Sequence, residues 1–444
     1  MKLWDKGYST AQAVETFTVG KDRELDMHLA PWDVLGTMAH IEMLEAIDLL
    51  EAKELGVLQA ELKNIYAQIE AGDFEIEDGI EDVHSQVELM LTRNLGEVGK
   101  KVHSGRSRND QVLVDLKLYF RQEVTELLAL IQTLFSTLQK LSEKHKDILI
   151  PGYTHFQVAM PSSFGLWFGA YAEALVDDVQ MLAAAYKVSD QNPLGSAAGY
   201  GSSFPLKRQL TTDLLGFQSL SYNVVYAQMG RGKTEQLLGY ALASIGATLN
   251  KLAADVCLYM SQNFAFLTFP DNLTTGSSIM PHKKNPDVFE LVRARTNLLM
   301  SLPASISHLT SNLPSGYHRD LQLTKEVLLP GIEETKACLH ISNFMLEQVQ
   351  VKDNVLESPI YDYLFSVEVV NREVLNGLAF REAYKKIGQQ IQEGNFKPDR
   401  EVSHTHEGSI GNLCTEEIAT KMEMAASEID SDKWRMAIRN LLQR

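Results

Sequence analysis

The sequence predicts an all-α fold: a long-helix bundle flanked by two smaller helical domains and completed by oligomerisation. Three observations carry this. Apolar residues recur in steps of three and four over long stretches, strand-type alternation is almost absent, and the apolar seams outrun one compact domain. Narrow seams on long helices ask for bundle packing, and seams of this length ask for a second subunit.

Residues 1–106 have shorter helical patterns with more breaks and read as an N-terminal helical domain. The central bundle, 107–355, opens with the longest seam: Leu113, Leu116, Phe120, Val124, Leu127, Ile131, Leu134, Leu138 and Leu141. At the α-helical rise this helix is roughly 50 Å long, and Pro151-Gly152 ends it. A second seam runs through Phe164, Phe168, Tyr171, Leu175, Val179, Leu182 and Tyr186. It stops at Asn192-Pro193, ahead of a Gly/Ser-rich loop, GSAAGYGSSFP. A third runs through Leu238, Leu242, Ile245, Leu249, Leu252, Val256 and Tyr259, and a fourth helix starts at Pro286. A fifth covers 321–346 with an expected kink at Pro330. Residues 356–444 read as a C-terminal helical domain. There is no internal repeat.

The chain has 444 residues, 45% hydrophobic and 22% charged, which is globular composition. Its net charge of -17 argues against a nucleic-acid or anionic-membrane partner, while leaving room for a local cationic site that binds a small anion. Cys257, Cys338 and Cys414 fit no metal spacing and no disulfide framework; the first two lie on apolar helical patterns and read as core thiols. The opening MKLWDKGYSTAQ lacks the apolar core of a secretory signal, and no apolar run reads as long enough to span a bilayer, so a cytoplasmic protein is expected.

Three polar segments stand at helix ends. Residues 275–287, TGSSIMPHKKNPD, place His282, Lys283 and Lys284 between a Gly-Ser-Ser loop and a helix start. Asn285 is expected as N-cap, Pro286 at the first helical position and Asp287 in the first turn. A helix N-terminus beside Lys283 favours a carboxylate or a deprotonated serine hydroxyl. Residues 103–111, HSGRSRNDQ, put Arg106, Ser107, Arg108 and Asn109 where the first long helix begins; such arginines can grip carboxylates in bidentate fashion. Residues 151–161, PGYTHFQVAMP, set Thr154, His155 and Gln157 inside an apolar turn between two long helices. Each alone has a bland explanation: a solvated Lys-Lys, a solvated helix start, a satisfied core histidine. Their combination does not.

In this order and spacing the three segments resemble the fumarase/aspartase superfamily. HSGRSRNDQ, with EDVHSQVE (81–88), PLGS (193–196), NLPSGYHRDLQLTKE (312–326) and AFREAYKKIG (379–388), narrows the resemblance to the argininosuccinate lyase family over nearly the whole chain. The resemblance implies a carbon–nitrogen lyase of arginine biosynthesis. It would cleave argininosuccinate reversibly to arginine and fumarate, without metal or organic cofactor. It also implies a homotetramer whose active sites draw the three segments from three subunits. By the same resemblance Ser277 is the base, Lys283 and Asn285 stabilise the carbanion, and His155, oriented by Glu290, serves the acid side with Thr154 beside it. Ser107, Arg108, Asn109, His84, Gln157, Tyr317, Gln322 and Lys325 match positions that contact substrate.

The chain departs from the family pattern at DKGY (5–8), at GKDREL (20–25), at His282 and at GRGKTEQ (230–236). These changes leave the elimination residues in place and bear on the arginine end of the substrate. A modified argininosuccinate stays open, with Arg231 or Lys233 in place of a missing arginine. GRGKT is not a phosphate-binding loop, because Ala227 stands where a glycine is required and no strand precedes it. His404, His406 and Glu407 make an incomplete metal set and read as a surface loop near the substrate entrance. Adenylosuccinate lyase, fumarase and aspartase are alternatives that HSGRSRNDQ disfavours. A crystallin-like structural protein would not need Thr154, His155, Ser277, Lys283, Asn285 and Glu290 together, and a coiled-coil interaction protein would not need the polar segments at all.

Overall fold

A computed structural model describes residues 12–444. The DKGY departure therefore lies outside the described residues. Helices that position the site are labelled in chain order: α1 (Ala30–Glu45), α2 (Val83–Leu95), α3 (Arg108–Lys144), α4 (Phe164–Ser189), α5 (Lys233–Met260), α6 (Asp287–Leu299), α7 (Leu302–Thr310) and α8 (Leu323–Leu346).

All nine seam positions read on α3 are buried, and α3 packs against α4, α1 and α8. Ser107 caps α3 by accepting the Asn109 N–H, and Asp110 closes a capping box by accepting the Ser107 N–H at 2.8 Å. The other Asp110 oxygen accepts the Gly195 and Ala197 N–H groups, each at 2.9 Å, so the Gly/Ser-rich loop is pinned to the start of α3. Gly165 lets α4 meet the end of α3: a Cβ there would lie 2.6 Å from the Lys146 Cα.

Helix α5 packs on α4, α6, α7 and α8. By length and composition it could cross a membrane, which corrects the sequence expectation that no run could. Its apolar seam faces bundle neighbours, and bundle burial and bilayer burial select the same residues. Pro330 lies inside α8 without ending it.

One continuous core runs from Leu25 to Leu441 and takes in the helices Thr415–Ser427 and Asp432–Gln443. Arg121, fully buried on α3, ties the last of these in. It donates to Asp190 at 3.0 Å and to the Leu215 carbonyl at 2.9 Å, and its guanidinium sits 4.0 Å from the Phe217 ring and 5.3 Å from the Trp434 ring. The helices Ser366–Leu375 and Phe380–Gln392 carry a small core of their own, centred on Val370, Ala383 and Ile387.

The segment expected as an apolar turn between α3 and α4 is instead a β-hairpin, β1 (Leu149–Thr154) paired with β2 (Gln157–Ser163). Thr154 pairs with Gln157, leaving His155 and Phe156 as a two-residue turn with φ of 53° and 58°. Two positive φ values in a row mark the hairpin turn whose twist matches its strands, a conformation that disfavours residues with a Cβ.

Candidate active site

The N-terminal ends of α2 and α3, the segment around 22–26 and the start of α8 enclose a cavity of about 240 Å³. Six of the residues expected to contact substrate line it: His84, Arg108, Asn109, Tyr317, Gln322 and Lys325. Ser107 does not line it, because its hydroxyl is spent on the α3 cap. Gln157 does not either; it sits exposed on the hairpin. Arg231 lines the cavity, whereas Lys233 is exposed on the first turn of α5.

Charge in the cavity is dense and mostly paired. Lys325, almost fully buried, donates to Asp22 at 2.8 Å and to Asp26 at 2.5 Å. Burial would weaken its ammonium, but the two carboxylates outweigh that and hold its pKa above the ordinary value. Burial pushes Asp22 up to about 6 despite Lys325, and the Asp26 charge adds to the rise. Arg108 donates to Glu81 at 3.0 Å and to the Ser85 hydroxyl at 2.5 Å, with Asp82 at 3.3 Å; Arg319 donates to Glu81 at 2.5 Å. Burial alone would raise the Glu81 carboxyl, but Arg319 and Arg108 together hold it below the usual range.

His84 sits on a buried acidic pair. Its Nδ1 lies 2.7 Å from Asp33 and 3.4 Å from Asp115, and Gln111 donates to the same Asp33 oxygen at 2.7 Å. Burial would strip the imidazolium, yet Asp33 outweighs it and keeps the His84 pKa raised. Burial and the Asp33 charge push the Asp115 carboxyl well above its ordinary pKa. The three offer donor atoms within 4.8 Å of one another, a spacing compatible with a metal ion. However, the Nδ1 and the Asp33 oxygen are already hydrogen-bonded and the positive charge of Arg106 acts on both acids, so a proton-sharing trio fits them better.

The elimination residues lie elsewhere. The loop before α6 is closed by Asn285, whose N–H donates to the Thr275 carbonyl at 2.8 Å and whose amide side chain reaches Thr275 and the Gly276 carbonyl, each at 3.3 Å. Asn285 is therefore not the N-cap expected of it. Pro286 takes that position and α6 begins at Asp287, because bridging to Thr275 turns the Asn285 side chain into the loop. Ser277 Oγ accepts the Ile279 and Met280 N–H groups at 3.3 and 3.2 Å. Lys284 is paired with Asp271; Lys283 is exposed with no ion pair among the described residues. Lys283, Asn285, His282 and Glu290 border a second hollow of about 480 Å³ beside Cys257 and Met260.

Thr154, His155 and Gln157 are exposed on the hairpin tip. Among the described residues no hydrogen bond or ion pair joins His155 to Glu290, or joins Ser277 or Lys283 to the 240 Å³ cavity. The expected His155–Glu290 pairing is thus absent within one subunit. The His404–His406 loop also stays apart: His404 lies 3.1 Å from Glu368 and lines neither hollow.

Sequence reasoning missed Asp22, Asp26, Glu81, Asp82 and Arg319 as cavity residues. Asp22 and Asp26 share one helical face, and a four-residue spacing of like charges asks for a cation between them. That signal was readable; its partner, Lys325, was not.

The fold and the cavity define a long-helix bundle with an ion-lined binding site. A family profile described as a lyase matches residues 8–298. The structure resembles an EDDS lyase complex with formate (TM-score 0.78, 21% identity, 98% of this chain and 95% of that one) and a class II fumarase from Schistosoma mansoni (TM-score 0.72, 16% identity, 96% of each). At those identities the likeness concerns the fold. Argininosuccinate lyases of Parabacteroides distasonis (60% identity, 99% of each chain) and Thermotoga neapolitana (38% identity, 88% of this chain and 98% of the other) match along nearly their whole length. The chain belongs to the argininosuccinate lyase family.

Proposed function

We propose that the chain cleaves argininosuccinate reversibly to arginine and fumarate, in the cytoplasm, at a site assembled from three subunits of a homotetramer. One observation carries the assembly. A single subunit encloses an ion-lined binding cavity, yet it leaves Lys283, Glu290, Thr154 and His155 exposed and apart from it. Exposed apolar side chains on the bundle helices, among them Leu291, Leu298, Tyr240 and Met181, support a subunit interface. In this reading the chain is organised as units 1–106, 107–355 and 356–444, the middle one supplying the shared bundle.

The cavity takes the arginine end. Ser277, beside Lys283 and the α6 N-terminus, removes a proton from the carbon next to a succinyl carboxylate. The electron pair moves onto that carboxylate as an aci-dianion, which Lys283, Asn285 and the free N–H groups at the start of α6 stabilise. The pair then forms the C=C bond of fumarate while the C–N pair leaves with the guanidine nitrogen, which takes a proton from the His155 side. Glu290 orients His155 across the interface, and Thr154 and Gln157 hold substrate.

The test has two arms. Purified protein with argininosuccinate should release fumarate, read by ultraviolet absorbance, and show no release from adenylosuccinate. Ser277→Ala and His155→Ala variants, each inactive, should regain part of the activity when dissociated and reassembled together, since some sites then receive both intact residues. No recovery from reassembled, folded oligomers would sink the shared site.

A further inference from the structure

We propose that Arg231 reads the α-carboxylate of the arginine portion of the substrate and so sets selectivity for an α-amino acid at that end. This rests on the proposed placing of arginine in the 240 Å³ cavity.

Four permanent cations line that cavity, and three of them have carboxylate partners within hydrogen-bond distance: Arg108 and Arg319 on Glu81, Lys325 on Asp22 and Asp26. Arg231 is the exception among the described residues. Its side chain is 1% exposed, and its Nε and Nη1 have no hydrogen-bond partner. Its Nη2 donates to the Leu321 carbonyl at 3.2 Å, and its guanidinium lies 5.6 Å from the Tyr317 ring centre. The nearest carboxylate, Glu235, stands off at 3.9 Å and is committed elsewhere, accepting the Gly232 N–H at 2.6 Å. Burial pushes the Glu235 carboxyl up, toward its neutral form. A buried guanidinium with unfilled donors in a cavity wall calls for an anion.

The chemistry of the guest selects which anion. Arginine reacts through its guanidine and carries an ammonium and a carboxylate at its other end. Asp22 and Asp26 supply negative charge for the ammonium, and Arg231 lines the same cavity, so both charges can act on one zwitterionic head. The succinyl carboxylates belong to Ser277 and Lys283, which lie outside the cavity.

The experiment runs the full-length enzyme in the synthetic direction, with fumarate and either arginine or agmatine, which is arginine without the α-carboxylate. Wild type should prefer arginine by about a hundredfold or more in kcat/KM. Arg231→Gln should raise the KM for arginine by about tenfold or more with the KM for fumarate nearly unchanged, and should collapse the arginine preference to within a few-fold. Arg231→Lys, which keeps the charge, should retain part of the preference and covers the case in which the glutamine variant does not fold. If arginine and agmatine suffer equally in a folded variant, Arg231 is structural and this inference fails while the cavity assignment stands. If the KM for fumarate rises instead, the cavity binds the succinyl end and both readings fall.

Discussion

The cavity at the start of α3 and the loop before α6 are both rich in charge, yet they are built in opposite ways. Lys325 is buried between two carboxylates, and Arg108 is held by Glu81, Asp82 and Ser85. Lys283, in the other region, is exposed and has no ion pair among the described residues, on a loop closed by the Asn285–Thr275 bridge. Buried ions that satisfy one another make a rigid, preformed binding site. In the proposed mechanism, exposed ones keep their field for a charge that arrives later, when substrate and neighbouring subunits close over them. The difference separates binding, which one subunit prepares, from chemistry, which in the proposed mechanism waits for assembly.

The largest expected effect is on the chemical side. Ser277→Ala should lower kcat by about a hundred- to ten-thousandfold, the range of a positioned general base, while substrate still binds. Retention of most of the rate would remove Ser277 from that role. One substitution made in both regions sharpens the contrast. Lys325→Met strands Asp22 and Asp26 in the interior and should cost about 3–5 kcal/mol of stability by denaturant titration. Lys283→Met should leave the melting curve unchanged and still abolish turnover. Equal stability losses would erase the distinction between the two regions.

The smallest effect is on pH. Asp22 is pushed up to about 6 by burial, and its charged form is the one that pairs with Lys325 and, in the proposed placing of arginine, faces the substrate ammonium. As pH falls through about 6 it takes up a proton, so the KM for arginine should rise below that point, by at most about tenfold per unit, and level off above it. Asp22→Asn should flatten that limb. A limb unchanged in the variant would assign it to another group.

Each of these regions was legible to a different depth. The nine seam positions of α3 follow from a period of 3.6, which is local, and packing confirmed all of them. The hairpin was not legible, because its turn is His155-Phe156 and carries no glycine or asparagine to announce positive φ. The Asn-Pro-Asp start of α6 was read one residue off, because a hydrogen bond to Thr275, ten residues upstream, outweighed the local capping preference.

By itself the sequence determined that long helices would form, where the four with full seams would run to within a few residues, and which polar segments would sit at their ends; these follow from periodicity and end chemistry, which act over a few residues. Only the tertiary structure decided that Lys325 meets Asp26, 299 positions away, that Arg231 turns into the same cavity, and that His155 and Ser277 stay outside it. Charge pairing in a buried site depends on distances through space, and those are set by how the helices cross rather than by how the residues follow one another.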